Sequence, residues 1–240
     1  MLRFYYTIFT ALLEFLYFYS SYLKIKKHPE IYDEVTRYKL VRFICKYIQR
    51  RGLIFTKVTG LDNLPKEGGY IMYPNHQGRF DAVGIIAALK TPCTYVIDYE
   101  RSKVFINNEV CYLLNGKRLD KRDIKNQVRT ILAVSEEVKA GRHYILFPEG
   151  GYPNRNSSNE MRDFMDGCFK AATKSHCPIV PVCIYDSYKV YYKHSLCLVR
   201  PQIHFLTPIP YSEYKDMNTH EISTLVKERI QAKLDECASA

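Results

Sequence analysis

The chain has 240 residues, of which 47% are hydrophobic and 25% are charged, a composition typical of one or two globular domains and not of a disordered or collagen-like chain. The 35 Lys and Arg residues outnumber the 25 Asp and Glu residues, and the net charge of +10 favours anionic partners: phosphorylated metabolites, nucleic acid or anionic lipid. The eight cysteines include no Cys-x-x-Cys pair and no metal-ligand spacing, so we expect no metal site and reduced, mostly buried thiols in a protein that faces the cytosol.

Residues 1–24 are predicted to form an aromatic helix with one narrow polar stripe. The stripe follows steps of four and three residues and consists of Arg3, Thr7, Thr10, Glu14, Tyr17, Ser21 and Lys24. Glu14 lies at the centre of the apolar stretch and costs roughly 2.5–3.5 kcal/mol on insertion, which makes a membrane-spanning helix marginal. No small-residue cleavage site follows, which disfavours a signal peptide. A helix that lies in the membrane interface, or a re-entrant helix, is therefore favoured.

A second, basic helix is predicted over residues 31–51. Its apolar stripe is accompanied by a basic one, formed by Lys39, Arg42, Lys46 and Arg50. A basic amphipathic helix beside an aromatic one is typical of attachment to an anionic lipid surface. Packing of both helices on the core is the alternative, and RNA binding is less favoured because the chain has no RNA-binding motif.

After Gly52, short apolar runs alternate with helical patterns. The predicted strands are residues 53–58, 70–73, 94–97, 143–147, 179–184, 196–199 and 202–206. The predicted helices are residues 80–89, 103–114, 125–140, 161–176 and 219–236. This alternation is typical of an α/β domain, here residues 52–240, with a mixed, mostly parallel sheet covered by helices. The two-helix module for membrane docking, residues 1–51, precedes it.

A loop with a histidine and an aspartate follows the predicted strand of residues 70–73. Asn75 and Gly78 favour a tight loop. His76 and Asp81 are five residues apart, about 140° around a helix axis, so they can pair only if His76 lies in the loop and Asp81 opens the next helix. A histidine held in this way presents Nε2 as a base. Taken alone, the pattern also fits a helix cap and a surface histidine.

A second strand end has a similar form. The apolar residues 143–147 lead into Pro148-Glu149-Gly150-Gly151, a turn that offers backbone N–H groups and a carboxylate for hydroxyls or basic side chains. A plain left-handed turn is the alternative. A third run, residues 178–182, is predicted to be a buried strand without chemistry of its own.

Together the three runs resemble the 1-acyl-glycerol-3-phosphate acyltransferases and their glycerolipid acyltransferase relatives. That family is marked by an NHxxxxD block, an FPEGTRS block and a late VPV block. In this chain they are, in family order, Asn75-His76 to Asp81, Phe147-Pro148-Glu149-Gly150, and Ile179-Val180-Pro181-Val182. The aromatic and basic helices are also similar to the membrane-docking pair of bacterial members.

The chain departs from the family pattern in the blocks that bind phosphate. Gly151-Tyr152-Pro153 replaces Thr-Arg-Ser, so the usual phosphate-binding arginine is missing, and Arg155 is the candidate replacement. Lys121 takes the position of the arginine in the intermediate Ile-Asp-Arg block and keeps the charge without the bidentate fork.

The resemblance implies that His76, oriented by Asp81, takes the proton of a lysophospholipid hydroxyl, which attacks the thioester of acyl-CoA or acyl-carrier protein. The acceptor is expected to be lysophosphatidate. The expected substrate-binding residues are Asn75, Lys121, Arg122, Glu149, Gly150 and Arg155. We expect no cofactor besides the acyl donor, no metal, no nucleic-acid partner, and a place at the cytoplasmic face of a membrane.

Other functions remain open at this point. The acceptor could be glycerol 3-phosphate or another lysolipid, and the donor could be a phospholipid in a transacylation. An inactive, membrane-binding homologue is a further class, although the intact His76 and Asp81 weigh against it.

Overall fold

The computed structural model describes residues 2–152, 158–192 and 195–239. Within these ranges seven strands form one sheet, in the order β1-β7-β6-β2-β5-β3-β4. The strands are β1 (Lys57–Thr59), β2 (Ile71–Pro74), β3 (Thr94–Asp98), β4 (Lys117–Leu119), β5 (Tyr144–Ile145), β6 (Ile179–Tyr185) and β7 (Gln202–Phe205). All neighbouring strands are parallel except β6 and β7, which are antiparallel. The predicted mixed, mostly parallel α/β fold is confirmed.

Helices precede the sheet and cover both of its faces. They are α1 (Leu2–Thr10), α2 (Leu12–Lys27), α3 (Glu34–Arg51), α4 (Asp81–Ala88), α5 (Tyr99–Ser102), α6 (Asn107–Leu113), α7 (Ile124–Lys139), α8 (Lys170–Ser175), α9 (Lys189–Tyr192), α10 (Tyr211–Tyr214) and α11 (Thr219–Ser239).

The sheet separates two hydrophobic cores. Successive side chains of a strand point to opposite faces. In β6, Val180 therefore packs into the core that α2, α3, α4 and α6 share, whereas Ile179 packs into the core beneath α7, α8 and α11. This arrangement places α2 and α7 on opposite faces of the sheet.

Several predicted elements differ from the observed ones. The helix of residues 1–24 is divided at Ala11, where the Thr10 hydroxyl donates to the Tyr6 carbonyl (2.8 Å) and weakens the regular helix. The predicted strand of residues 196–199 is wrong, because only Val199 forms an isolated bridge, to Ile54. The helix of residues 161–176 is reduced to a 3₁₀ turn, Asp166–Phe169, that contains Gly167 and leads into α8.

The first half of the polar stripe, from Arg3 to Glu14, faces the protein, whereas Tyr17 and Lys24 of the second half are exposed together with most of the apolar side. Arg3 and Thr7 are buried, and Glu14 forms an ion pair with Arg51 of α3 (2.6 Å). The outward residues are large and apolar: Leu2, Tyr5, Ile8, Phe9, Leu12, Leu13, Leu16, Tyr17, Tyr19 and Leu23. None of the described helices combines the length and the apolar character needed to cross a membrane.

The N-terminal helices are bound to the α/β domain by specific hydrogen bonds. Tyr38 of α3 is buried, and its hydroxyl donates to the Ile86 carbonyl of α4 (3.2 Å). The division of the chain into residues 1–51 and 52–240 stays a prediction.

Arg3 is the strongest of these attachments. It is fully buried, and its guanidinium donates to the carbonyls of Gly52 (2.7 Å), Val190 (3.0 Å), Ser195 (2.9 Å) and Cys197 (2.5 Å). One side chain therefore satisfies carbonyl groups from two distant segments of the chain, and α1 holds these segments together.

We expect Arg3→Met to lower the free energy of unfolding by about 3–5 kcal/mol, because four carbonyls lose a charged donor, two of them in buried and two in half-buried places. The measurement is urea unfolding of the full chain without lipid. Lys24→Met, the same kind of change on the exposed side of α2, serves as the control and should stay within about 0.5 kcal/mol of wild type. Equal losses in both variants would contradict the assignment.

Candidate active site

The site lies where parallel strands end at one edge of the sheet. β2, β5, β3 and β4 are adjacent and parallel, so the loops that follow them are neighbours. Ligand sites of α/β sheets commonly lie at this carboxyl edge. The loop after β2 carries His76, and the turn after β5 carries Glu149.

Asn75 fastens the first loop to the sheet. Its amide nitrogen donates to the Ile184 carbonyl (2.9 Å), and its amide oxygen accepts from the Ile184 N–H (2.7 Å). The side chain is buried, and both of its polar groups are engaged with the backbone of β6. This geometry favours a scaffold role, and the predicted contact of Asn75 with substrate stays a prediction.

Asp81 opens α4 and organises the loop around its carboxylate. The Oδ2 atom lies 2.7 Å from His76 Nδ1 and accepts from the backbone N–H groups of Gln77 (2.6 Å) and Gly78 (2.8 Å). The Ser187 hydroxyl donates to Oδ1. Asp81 is fully buried, and with four donors its charge is compensated. The loop folds back on itself, as the spacing of His76 and Asp81 requires.

A second layer of polar groups supports this loop and comes from β6, from the residues just after it and from the segment between β5 and α8. The Gln77 amide oxygen accepts from the Ser187 N–H (2.8 Å), and its nitrogen donates to Asn159 (2.9 Å) and to the Ile184 carbonyl (2.9 Å). Asn159 in turn accepts from the Asp186 N–H (2.8 Å). Loops far apart in sequence thus fix the orientation of the His76–Asp81 pair.

The His76 ring is held between two aromatic side chains. Phe147 stacks on it at 3.9 Å between centroids, and Tyr152 meets it edge to face at 4.7 Å. The carboxylate on Nδ1 fixes the tautomer that carries the proton on this atom. Among the described residues Nε2 has no hydrogen-bond partner, so this nitrogen can accept a proton from a bound group.

Glu149 is buried beside His76 and connects two loops. Its Oε1 accepts from the His76 N–H (2.7 Å), and its Oε2 accepts from Nε of Arg162 (3.2 Å). Burial raises the pKa of this carboxyl, and the bonds from His76 and Arg162 oppose the rise. The arrangement holds the turn after β5 against the loop after β2.

The backbone N–H groups of the His76 loop are already used. Those of Gln77 and Gly78 donate to Asp81, and that of His76 donates to Glu149. These three groups are therefore not available to a developing oxyanion, and any such donor belongs to another part of the site.

Of the predicted cations, the structure brings Lys121 to the site. Its Nζ donates to the Gly150 carbonyl and lies 3.8 Å from Asp98, and its side chain is half exposed. Gly150 has φ +69°, in the left-handed region, so the turn favours glycine. The exposed Arg122 side chain forms no hydrogen bond or ion pair with the described residues. Arg155 lies outside the described residues.

A further cation at the site was not predicted. The Arg101 guanidinium lies 4.1 Å from the centre of the Tyr152 ring, which itself contacts His76. Asp98, which lies 3.8 Å from Lys121, caps α5 by accepting the backbone N–H of Arg101 (3.2 Å), so it holds the start of this helix beside Lys121. Arg162 was missed as well. Neither residue belongs to a sequence block, and only the proximity of the strand ends in space reveals them.

Comparison with known proteins agrees with this geometry. The model of the family described as Acyltransferase matches residues 55–185. A 1-acyl-sn-glycerol-3-phosphate acyltransferase of Borreliella burgdorferi is 25% identical over 183 residues, which cover 74% of this chain and 71% of the relative. The 1-acyl-sn-glycerol-3-phosphate acyltransferase alpha of Ovis aries is 24% identical over 180 residues, 73% of this chain and 61% of the relative.

The fold has a counterpart among solved structures. The crystal structure of the 1-acyl-sn-glycerophosphate acyltransferase PlsC from Thermotoga maritima superposes with a TM-score of 0.66 at 21% identity and covers 98% of both chains. The protein belongs to the acyltransferase family. This confirms the resemblance inferred from the three sequence blocks and the prediction of an acyltransferase enzyme.

Proposed function

We propose that the protein is a membrane-associated acyltransferase that transfers a fatty acyl group from acyl-CoA or acyl-carrier protein to the free hydroxyl of lysophosphatidate. The observation that carries this proposal is the His76–Asp81 pair, 2.7 Å apart, at the carboxyl edge of the sheet in a chain of this family. The relatives named above, which are 1-acyl-sn-glycerol-3-phosphate acyltransferases, support the choice of acceptor.

In the proposed reaction Nε2 of His76 takes the proton of the acceptor hydroxyl while the hydroxyl oxygen attacks the thioester carbonyl carbon. The C–S bond then breaks, and the thiol leaves with the proton that His76 returns. Asp81 keeps the proton on Nδ1 and stabilises the imidazolium that forms. The reaction needs no cofactor besides the acyl donor, which is a substrate.

The proposed phosphate site consists of Lys121 and Arg101 on the side of His76 where Tyr152 lies. The Arg101 guanidinium lies over the Tyr152 ring, and its N–H groups form no hydrogen bond with the described residues, so in this proposal they bind phosphate oxygens. Arg122, next along the exposed turn, adds positive charge. In this proposal the stacked Arg101 and Tyr152 replace the Thr-Arg pair of the family.

We expect Lys121→Met to raise KM for lysophosphatidate about tenfold or more and to change kcat little, because one charge-assisted hydrogen bond contributes roughly 1.5–3 kcal/mol. Steady-state kinetics in lipid vesicles measure both constants. Lys125→Met, which removes an exposed lysine of α7, is the matched control and should behave as wild type. An unchanged KM in Lys121→Met would remove this residue from the phosphate site.

Membrane association is proposed to use the outward apolar side of α1 and α2. Ten large apolar residues are exposed there, more than isolated surface residues account for. Lysines 24, 26 and 27 at the end of α2 add charge that attracts anionic lipid. The proposed surface is the cytoplasmic face of a membrane, where both acyl donors would be accessible.

The decisive experiment measures acyl transfer by the purified full chain to lysophosphatidate in vesicles, with acyl-CoA and with acyl-carrier protein as donors. Glycerol 3-phosphate and lysophosphatidylcholine are offered as competing acceptors, and a vesicle without thioester tests transacylation. Phosphatidate formed from lysophosphatidate supports the proposal. Product only from another acceptor, or without thioester, would replace the substrates named here, and no product under any condition would favour an inactive homologue.

A further inference from the structure

Two apolar side chains project from the loop of residues 103–106, which joins α5 to α6. Val104 is 57% exposed and Phe105 is 65% exposed. The loop also holds Ile106 at φ +74°, a conformation that costs a β-branched residue of order 1–3 kcal/mol. Such strain persists only where the surroundings impose it, so the exposure of this pair is built into the fold.

The contacts that impose this conformation lie within the loop and α6. The Ile106 N–H donates to the Glu109 carboxylate (2.6 Å), and the Val104 carbonyl accepts from the Asn108 N–H (3.0 Å). Ile106 packs against the core shared by α2 and α6. With Ile106 directed inward, Val104 and Phe105 stay outside.

The exposed pair continues the apolar surface of α2. The rings of Phe105 and Tyr19 lie 5.9 Å apart, and Tyr19 belongs to the outward side of α2 together with Leu16 and Leu23. One apolar surface thus extends from the N-terminal helices to the loop before α6. Lysines 24, 26 and 27 at the end of α2 border it and supply the positive charge that attracts anionic lipid, whereas Lys103 is paired with Glu100.

The same loop is close to the candidate active site. Arg101, four residues before Phe105, stacks on Tyr152, and Tyr152 contacts His76. The apolar surface is therefore connected to His76 through residues 101–105 and the contacts of Arg101 with Tyr152 and of Tyr152 with His76.

We propose that Val104 and Phe105 form a second membrane contact, which inserts into the acyl region of an anionic bilayer and holds the mouth of the active site against the surface that contains the acceptor. This inference rests on the membrane association proposed above for α1 and α2. Its occupant is lipid, because the patch is continuous with the aromatic outward surface of α2, which ends in Lys24, Lys26 and Lys27.

The chain contains no tryptophan, so single tryptophans can report insertion at chosen positions. Phe105→Trp tests the loop, Leu16→Trp tests α2, and Ile124→Trp is the control, since Ile124 is 76% exposed but lies on α7 at the opposite face of the sheet. The full chain is mixed with vesicles of equal parts phosphatidylcholine and phosphatidylglycerol whose acyl chains carry bromine, which quenches buried tryptophan.

Quenching and a blue shift at positions 105 and 16, with neither at 124, are the expected result. Quenching at position 16 alone would overturn this inference and leave the docking of α1 and α2 in place. No quenching at any position would overturn the proposed membrane association and this inference with it, and equal quenching at all three would also overturn it, because insertion would then not be local.

Kinetics separate the membrane contact from the chemistry. Phe105→Ser is expected to weaken vesicle binding roughly tenfold and to lower turnover of vesicle-borne lysophosphatidate, since the burial of one large aromatic side chain is lost. Turnover of a short-chain, monomeric lysophosphatidate should stay unchanged. Val128 of α7 is 55% exposed, and Val128→Ser should change neither vesicle binding nor turnover. A fall of turnover with the monomeric acceptor would overturn the inference and assign Phe105 to the active site itself.

Discussion

Replacement of His76 by alanine is expected to lower kcat for acyl transfer by roughly 10²–10⁴-fold, the usual contribution of a positioned general base. Nδ1 of His76 is held by Asp81, and Nε2 has no hydrogen-bond partner in the described part of the chain, which leaves it for the acceptor hydroxyl. Stability should fall by about 1–3 kcal/mol, because the bond to the buried Asp81 is lost, while the backbone His76 N–H still bonds Glu149. The measurement is the initial rate of phosphatidate formation in vesicles, with unfolding of both proteins recorded in parallel.

The chain offers a matched control in His220, which also pairs with an aspartate. Its Nδ1 lies 3.1 Å from Asp166, but the pair is exposed, and neither side chain forms a hydrogen bond with His76 or Asp81. His220→Ala removes the same chemical group and is expected to keep wild-type activity. If His76→Ala and His220→Ala made product equally well, His76 would not be the base, and the proposed mechanism would fail.

The parts of the fold that sequence predicted well are those with strong local signals. The alternating apolar runs of β2, β3 and β6 were predicted to within one or two residues. β4 was missed, because Lys117-Arg118-Leu119 has no apolar run and becomes a strand only by pairing with β3. Secondary structure of this kind depends on a tertiary partner, which a local pattern does not contain.

Periodicity predicted the polar stripe of the first helix, but it did not predict which surroundings the stripe faces. Periodicity identifies a stripe without saying whether the stripe meets protein or solvent. Here Arg3 faces inward because it donates hydrogen bonds to backbone carbonyls such as that of Gly52, and Glu14 faces inward because it forms an ion pair with Arg51. The larger apolar side faces outward. Charge complementarity between distant segments, which no window of sequence displays, decided the orientation.

The residues of the candidate site also divide into those with a local sequence signal and those that only the fold brings together. The spacing of His76 and Asp81, with Asp suited to a helix start, predicted their arrangement from local rules. Ser187, Arg101 and Arg162 carry no such signal, since each reaches the site from a different strand end. The parallel order of the sheet, which only the folded chain establishes, brings these residues together.

Asp81→Asn is the second substitution with a large expected effect, again about 10²–10⁴-fold in kcat, because the imidazolium loses its stabilising charge and the tautomer is no longer fixed. In the wild type, the Asp81 carboxylate accepts hydrogen bonds from the N–H groups of Gln77 and Gly78 and from the Ser187 hydroxyl. The NH₂ group of asparagine would itself be a donor and would face one or more of these donors. A buried donor without a partner costs about 1–3 kcal/mol, so stability should fall as well. KM for lysophosphatidate should change far less than kcat, since Asp81 is fully buried and touches no acceptor.

Asp123→Asn is the control that separates the loss of kcat expected for Asp81→Asn from the general effects of replacing an aspartate by an asparagine at a helix start. Asp123 also stands at a helix start, where its carboxylate accepts the Asn126 N–H (3.1 Å), but it is exposed, and asparagine caps a helix about equally well. This variant should keep both activity and stability.

Ser187→Ala gives the intermediate case, because Asp81 keeps three donors and its charge, so a loss of kcat well below that of Asp81→Asn is expected. If Asp81→Asn lost stability but kept kcat, Asp81 would be a structural carboxylate that organises the loop, and His76 would need another residue to orient it.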